Sequence, residues 1–130
     1  MRRQANPFTE REAEIMQFLW SRDRATAEEI RGAMKGQPHD STVRTLLRVL
    51  EEKRHVTHEA VGKVYHYRPV TQQVRAQKTA LRNLLTQFFG GSAENLVLRL
   101  IEEDELSADE LRELLDSAPA NKRRPKGDKP

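Results

Sequence analysis

The chain has 130 residues, 36% of them hydrophobic and 33% charged, with a formal net charge of +3. That size allows one ordinary domain or two small ones around a modest core, and no apolar run approaches the ~20 residues that a membrane-spanning helix needs. The absence of cysteine excludes disulfides, thiolate metal sites and cysteine nucleophiles.

In chain order, Thr9 and Glu12 form a capping box, in which a hydroxyl and a carboxylate satisfy the free amides at a helix start. It opens a helix expected near 9–21, with Ile15, Met16, Phe18, Leu19 and Trp20 as its apolar side and Trp20 in the core. Thr26 and Glu29 repeat the box for a second helix near 27–35, ended by Gly36 and Pro38. A third helix begins after Asp40 or Ser41, both good N-caps. Its residues Val43, Leu46, Leu47 and Leu50 recur at i, i+3, i+4, i+7, the spacing of a buried stripe. Ser41, Thr42, Arg44, Thr45 and Arg48 fall elsewhere and face solvent or a ligand.

A hairpin follows, with Gly62-Lys63 as its turn, Gly taking the position of positive φ. If Val61 pairs with Val64, then Val56, His58, Ala60, Tyr65 and Tyr67 share the inner face. Thr57, Glu59, His66 and Arg68 share the other. After Pro69, a fourth helix is expected near 71–89 and is broken by Gly90-Gly91. A fifth starts at Ser92, and a sixth opens with the capping box of Ser107 and Glu110. Residues 117–130 hold 5 Lys/Arg against 1 Asp/Glu and no core-forming pattern, so this basic tail is expected to be disordered.

The expected fold is mainly α with a small β-hairpin. Residues 1–70 make an N-terminal winged helix-turn-helix. Residues 71–116 make three helices too small to stand alone, whose apolar stripes ask for a second copy of the chain. Leu81, Leu85, Phe88, Leu96, Leu100 and Leu111 are the candidate dimerisation residues. The charge is uneven: residues 1–70 hold 13 Lys/Arg and 10 Asp/Glu, whereas residues 71–116 hold 5 and 9. A capped helix with a hydroxyl and guanidinium face, followed by a Gly-Lys hairpin, is what a DNA reader needs. The helix fits a major groove, where Arg44 or Arg48 can bond guanine and Thr42 and Thr45 can meet a thymine methyl or a phosphate, with Ser41 also a candidate DNA contact. Lys63 and Arg68 can bind phosphates, adding affinity without sequence information.

The order and spacing of several segments resemble the penicillinase-repressor family (BlaI/MecI, with the copper repressors of the CopY type as relatives). They are Phe8 to Trp20, Ser41-Thr-Val-Arg-Thr-Leu-Leu47, Gly62-Lys-Val-Tyr-His-Tyr-Arg-Pro69, Phe88-Phe-Gly-Gly-Ser92 and Leu106-Ser-Ala-Asp-Glu-Leu111. The resemblance implies a homodimeric transcriptional repressor that binds a palindromic double-stranded DNA operator. It places Thr42, Arg44 and Thr45 in the groove-reading segment and Gly62-Lys63 in the wing. Many members carry Arg where this chain has Val49, with Arg48 just before it, and Gly where this chain has Arg54. The resemblance further implies release of DNA through a membrane sensor-protease that cuts an Asn-Phe step, where this chain has Arg99-Leu100. The cysteine-rich C-terminus of the copper repressors is missing.

Two other classes compete. A winged helix can serve as a protein-interaction adaptor without specific DNA binding, but the Ser, Thr and Arg face of the third helix favours DNA over an apolar or acidic partner surface. His55, His58 and His66 lie close in sequence, yet the proposed register sends His58 and His66 to opposite faces, so no metal site is expected. No catalytic grouping, phosphate loop or dinucleotide fingerprint appears, so neither an enzyme nor a cofactor is expected. With no secretory signal read at the start and no membrane insertion, a cytoplasmic location is expected.

Overall fold

The computed structural model describes residues 8–118, so the basic tail lies outside the described residues apart from Ser117 and Ala118. The elements run α1 (Glu10–Arg22), β1 (Ala25–Thr26), α2 (Ala27–Ala33), α3 (Asp40–Glu52), β2 (Val56–Val61), β3 (Val64–Pro69), α4 (Gln73–Phe88), α5 (Ala93–Glu102) and α6 (Ala108–Ser117). Six helices and a small antiparallel sheet give the winged helix-turn-helix with a helical C-terminal region read from the sequence. The described residues divide into two compact units between Leu84 and Leu85.

Local chemistry sets the helix starts. All three capping boxes are formed, at Thr9/Glu12, Thr26/Glu29 and Ser107/Glu110. α3 differs from expectation: its N-cap is His39, whose Nδ1 accepts from the Ser41 amide at 3.2 Å, while Asp40 is already helical. The imidazole therefore takes the acceptor role assigned to Asp40 or Ser41, and Asp40 is left free to pair with Arg44.

The hairpin register is Val61 opposite Val64, with His58 opposite Tyr67 and Ala60 opposite Tyr65. Only the base of its inner face is covered: Val56 and Tyr67 are buried, whereas Ala60 and Tyr65 are exposed. A third strand went unread in the sequence. β1 pairs with β3, Ala25 against Tyr67 and Thr26 against His66, so the sheet order is β1-β3-β2.

The core of the N-terminal unit sits where α1, α2, α3 and the sheet base converge. Ile15, Met16 and Leu19 of α1, Ile30 of α2, and Val43, Leu47 and Leu50 of α3 are fully buried. Each large side chain of this kind contributes roughly 1.5–3 kcal/mol through burial. Glu12 is only 3% exposed. Its carboxylate accepts from the Thr9 amide at 2.9 Å and pairs with Lys53 Nζ at 3.3 Å, fastening the start of α1 to the end of α3. Trp20 is half-buried at the core's edge, not inside it. Its indole N–H donates to the Thr71 carbonyl at 2.8 Å, which anchors the approach to α4.

In the C-terminal unit Gly90 and Gly91 both take positive φ, and Ser92 Oγ caps α5 by accepting from the Asn95 amide at 3.0 Å. No residue of α5 or α6 is fully buried.

α3 ends in a Schellman motif. The His55 amide donates to the Leu50 carbonyl at 2.9 Å and the Arg54 amide to the Glu51 carbonyl at 3.0 Å. Arg54 therefore occupies the left-handed position, at φ 69°, that most helices give to glycine. Its side chain is exposed. Arg54→Gly is expected to stabilise the fold by about 1 kcal/mol, the usual cost of a side chain in this conformation, read as an upward shift of the thermal midpoint. No shift, or a downward one, would show that the guanidinium carries an interaction of equal worth.

Close by, His55 packs edge-on against Phe8 and its Nδ1 meets Thr71 Oγ1 at 2.8 Å. Burial, with the Lys53 charge second, holds its pKa below the ordinary value of 6.5. The unfolded chain thus binds a proton that the folded one resists, so stability is full above pH 6.5 and is lost as the pH falls through the folded value. Chemical denaturation between pH 7 and pH 5 is expected to show this loss, and His55→Gln to flatten it.

Candidate nucleic-acid interface

α3 carries the candidate residues on the side away from the core. With Val43, Leu47 and Leu50 pointing inward, the helical repeat puts Ser41, Thr45 and Arg48 on one ridge opposite them; all three are exposed. Thr42, also exposed, lies on one flank of that ridge and Arg44 on the other.

Arg44 turns toward the hairpin. It lines an open cleft of about 520 Å³ together with Thr26, Glu28, Lys63, Tyr65 and Tyr67. The cleft brings Arg44 of α3 and Lys63 of the β2–β3 turn to one concavity, so two cations face the same space against the single carboxylate of Glu28. Lys63 has no ion-pair partner among the described residues. Arg68 is not part of this grouping. It lies on the opposite face of the hairpin, exposed, with Nη1 3.9 Å from Glu59.

Both arginines of α3 are held by carboxylates of their own helix. Arg44 Nε donates to Asp40 Oδ2 at 2.9 Å, and Arg48 Nη1 lies 3.4 Å from Glu52 Oε2. The hydrogen bond to Asp40, and then its charge, raise the Arg44 pKa further above its ordinary value. Such exposed pairs are weakened by water and salt, so they orient the guanidinium groups without locking them. Tyr67 at the cleft floor is buried; desolvation, and next the Glu51 charge, raise its hydroxyl pKa, with Arg44 opposing. It remains a neutral hydrogen-bonding group.

Sequence reasoning took Tyr65 and Tyr67 as hairpin packing and did not connect Thr26 with this region. The signal for Tyr65 was present: it shares a face with Tyr67, and that face borders α3. Thr26 reaches the cleft only because β1 pairs with β3. The three histidines have separate surroundings. His55 meets Thr71, His58 meets Glu51, and His66 lies on the other hairpin face, opposite Glu59.

The apolar candidates of the helical region are less covered than ordinary core residues. Leu81 and Phe88 are exposed, Phe88 by 72%, and Leu85, Leu96, Leu100 and Leu111 are half-buried. Leu98, Leu114 and Leu115 are exposed as well. The Arg99–Leu100 peptide lies inside α5, with Arg99 Nη1 3.2 Å from Glu102 and 3.5 Å from Glu103. No helix among the described residues is long and apolar enough to cross a membrane.

A family model described as "Penicillinase repressor" matches residues 8–118. The methicillin resistance regulatory protein MecI of Staphylococcus aureus (strain N315) is 28% identical over 105 residues, which is 79% of this chain and 85% of that protein. The penicillinase repressor of Bacillus licheniformis is 26% identical over 117 residues, covering 88% of this chain and 91% of its own. The matched region takes in α3, the hairpin and all the helices that follow, and the chain belongs to the penicillinase repressor family of transcriptional regulators.

Proposed function

We propose that the chain is a homodimeric, sequence-specific DNA-binding repressor acting on a palindromic operator. The observation that carries this reading is the outward ridge of α3. Ser41, Thr45 and Arg48 stand opposite a fully buried stripe, with Arg44 and Lys63 converging beside them. A helix of this width enters the major groove, and short hydroxyls with long guanidinium groups are the side chains that read base edges. The hairpin then lies over the adjacent backbone, where Lys63 meets phosphate. Arg68, on the far face of the hairpin, takes a phosphate further out. The names of the relatives, a resistance regulator and a penicillinase repressor, agree with this role.

Association of two chains follows from the apolar surface of α4, α5 and α6. Leucines and a phenylalanine this exposed are stabilised by a second copy, which buries them against their own equivalents. Leu81, Leu85, Phe88, Leu96, Leu100 and Leu111 are assigned to that contact. Two α3 helices held by one dimer meet groove segments about one turn (~10 bp) or a multiple apart. The second contact becomes intramolecular, so affinity rises steeply over that of one unit. Whatever separates the chains releases the operator. A membrane sensor-protease that cuts an Asn-Phe step is the route that family resemblance implies; this chain has Arg99–Leu100 in that place, within α5, and so lacks the pair such a protease cuts.

Two measurements test the scheme. On a duplex selected from a random pool, Arg44→Ala combined with Arg48→Ala is expected to remove the preference over unrelated duplex, each base pairing being worth roughly 1–3 kcal/mol. Mobility shifts at several salt concentrations read this out. Binding that keeps its preference in the double variant would overturn the readout assigned to these arginines, and binding that ignores salt would refute the DNA reading. A fragment ending at Leu84, which retains the anchoring Thr71, is expected to be monomeric in light scattering and to bind the full operator far more weakly. Undiminished affinity in that fragment would contradict dimerisation as the source of tight binding.

A further inference from the structure

Among the described residues, one polar side-chain contact ties the hairpin to α3, on the flank beside the outward ridge. Glu51 lies two turns beyond Arg44 on the same flank of the helix. Both its carboxylate oxygens meet His58 Nδ1, at 2.7 and 2.9 Å. The His58 ring stacks on Tyr65, with centroids 4.1 Å apart and planes 15° from parallel. Tyr65 stands two residues beyond Lys63. A continuous line of contact therefore runs from α3 through Glu51, His58 and Tyr65 toward the tip of the hairpin.

Tyr65 also meets the buried Tyr67 edge-on, with centroids 6.2 Å apart, but beyond Tyr65 no side chain among the described residues ties the tip to α3. β1 pairs only with His66 and Tyr67 at the inner half of β3, so the segment from Ala60 to Tyr65 has two strands and no third. Val61, Gly62, Lys63 and Val64 are all exposed. A two-stranded ribbon is marginal by itself in water, and its tip swings about the last point where it is fastened.

We infer that Glu51 and His58 are positioning residues for the nucleic-acid contact. Their clasp, backed by the Tyr65 ring, fixes the angle of the hairpin against α3 and so sets where Lys63 falls relative to Arg44. The inference rests on the DNA-reading role proposed above. Neither side chain contacts the duplex; both act through Lys63.

The test is a thermodynamic cycle on the full-length chain, read as operator affinity across a salt series. In the parent protein, Lys63→Ala is expected to weaken binding and to lower the salt slope by ~0.9 for each phosphate that is no longer neutralised. His58→Ala is expected to lower affinity as far as Lys63→Ala does and no further. Adding Lys63→Ala to His58→Ala then changes little, while Arg44→Ala combined with Arg48→Ala still removes sequence preference in that background. The double variant His58→Ala/Glu51→Ala removes the carboxylate that the single variant leaves uncovered, so any repulsion of DNA by Glu51 shows as the difference between the two. His58→Asn, which keeps a donor for Glu51, restores part of the Lys63 contribution. Should His58→Ala fail to fold, Glu51→Ala on the helix flank breaks the same clasp with the same expectation. A Lys63→Ala effect of equal size with and without the clasp would overturn the positioning role while leaving the DNA reading intact. Indifference of the parent protein to both Lys63→Ala and Arg48→Ala would overturn both.

Discussion

Burial of one stripe of α3 is the constraint on which the rest depends. Val43, Leu47 and Leu50 are wholly removed from water against α1 and α2. A helix with three such anchors cannot rotate about its axis without opening a cavity, at a cost of several kcal/mol. Its rotational setting is thereby fixed, and with it the outward direction of Ser41, Thr45 and Arg48. The Glu12–Lys53 pair and the Schellman turn at Arg54 then fix the far end. The N-terminal end is set by His39. The polar face owes its direction to apolar residues buried on the other side of the helix.

The hairpin inherits its position from the same packing. Val56 follows the α3 terminus within four residues and is buried with Tyr67. This brings the base of β2 and β3 onto the helix whose flank carries Arg44 and Glu51. The cleft between helix and hairpin follows from a chain reversal at Lys53 and Arg54 that is too tight to let the two elements separate. Two cations from segments some twenty residues apart in sequence thus face a common space.

Much of this was legible in the sequence because it is local. A capping box is complete within four residues, and Thr9, Thr26 and Ser107 each announced a helix. The Gly62-Lys63 turn fixed the hairpin register, and the i, i+3, i+4, i+7 spacing marked the stripe of α3. What escaped depends on distant partners. β1 is two residues long, too short for any periodic signal, and exists only because β3 offers it an edge. Trp20 looked like core until Thr71, remote in sequence, gave its indole an acceptor. His39 caps α3 although Asp40 and Ser41 beside it are the residue types that usually do so. Tyr65 was grouped with the inner face of the hairpin, but that face is covered only at its base, so Tyr65 borders a cleft. The apolar stripes of α5 and α6 are plain in the sequence, and among the described residues they stay exposed or half-buried.

The pairing of Arg44 with Asp40 and of Arg48 with Glu52 has one more implication. Neither guanidinium stands bare before an anion arrives, so on the DNA-reading role proposed above the capture of a phosphate or a base is a trade of one partner for another and the net gain from each is small. The reverse trade is equally easy. On that proposed role an unsuitable duplex is released quickly, because each guanidinium of α3 has a carboxylate within its own helix to return to. Tight residence is then reserved for the sites where every exchange succeeds at once.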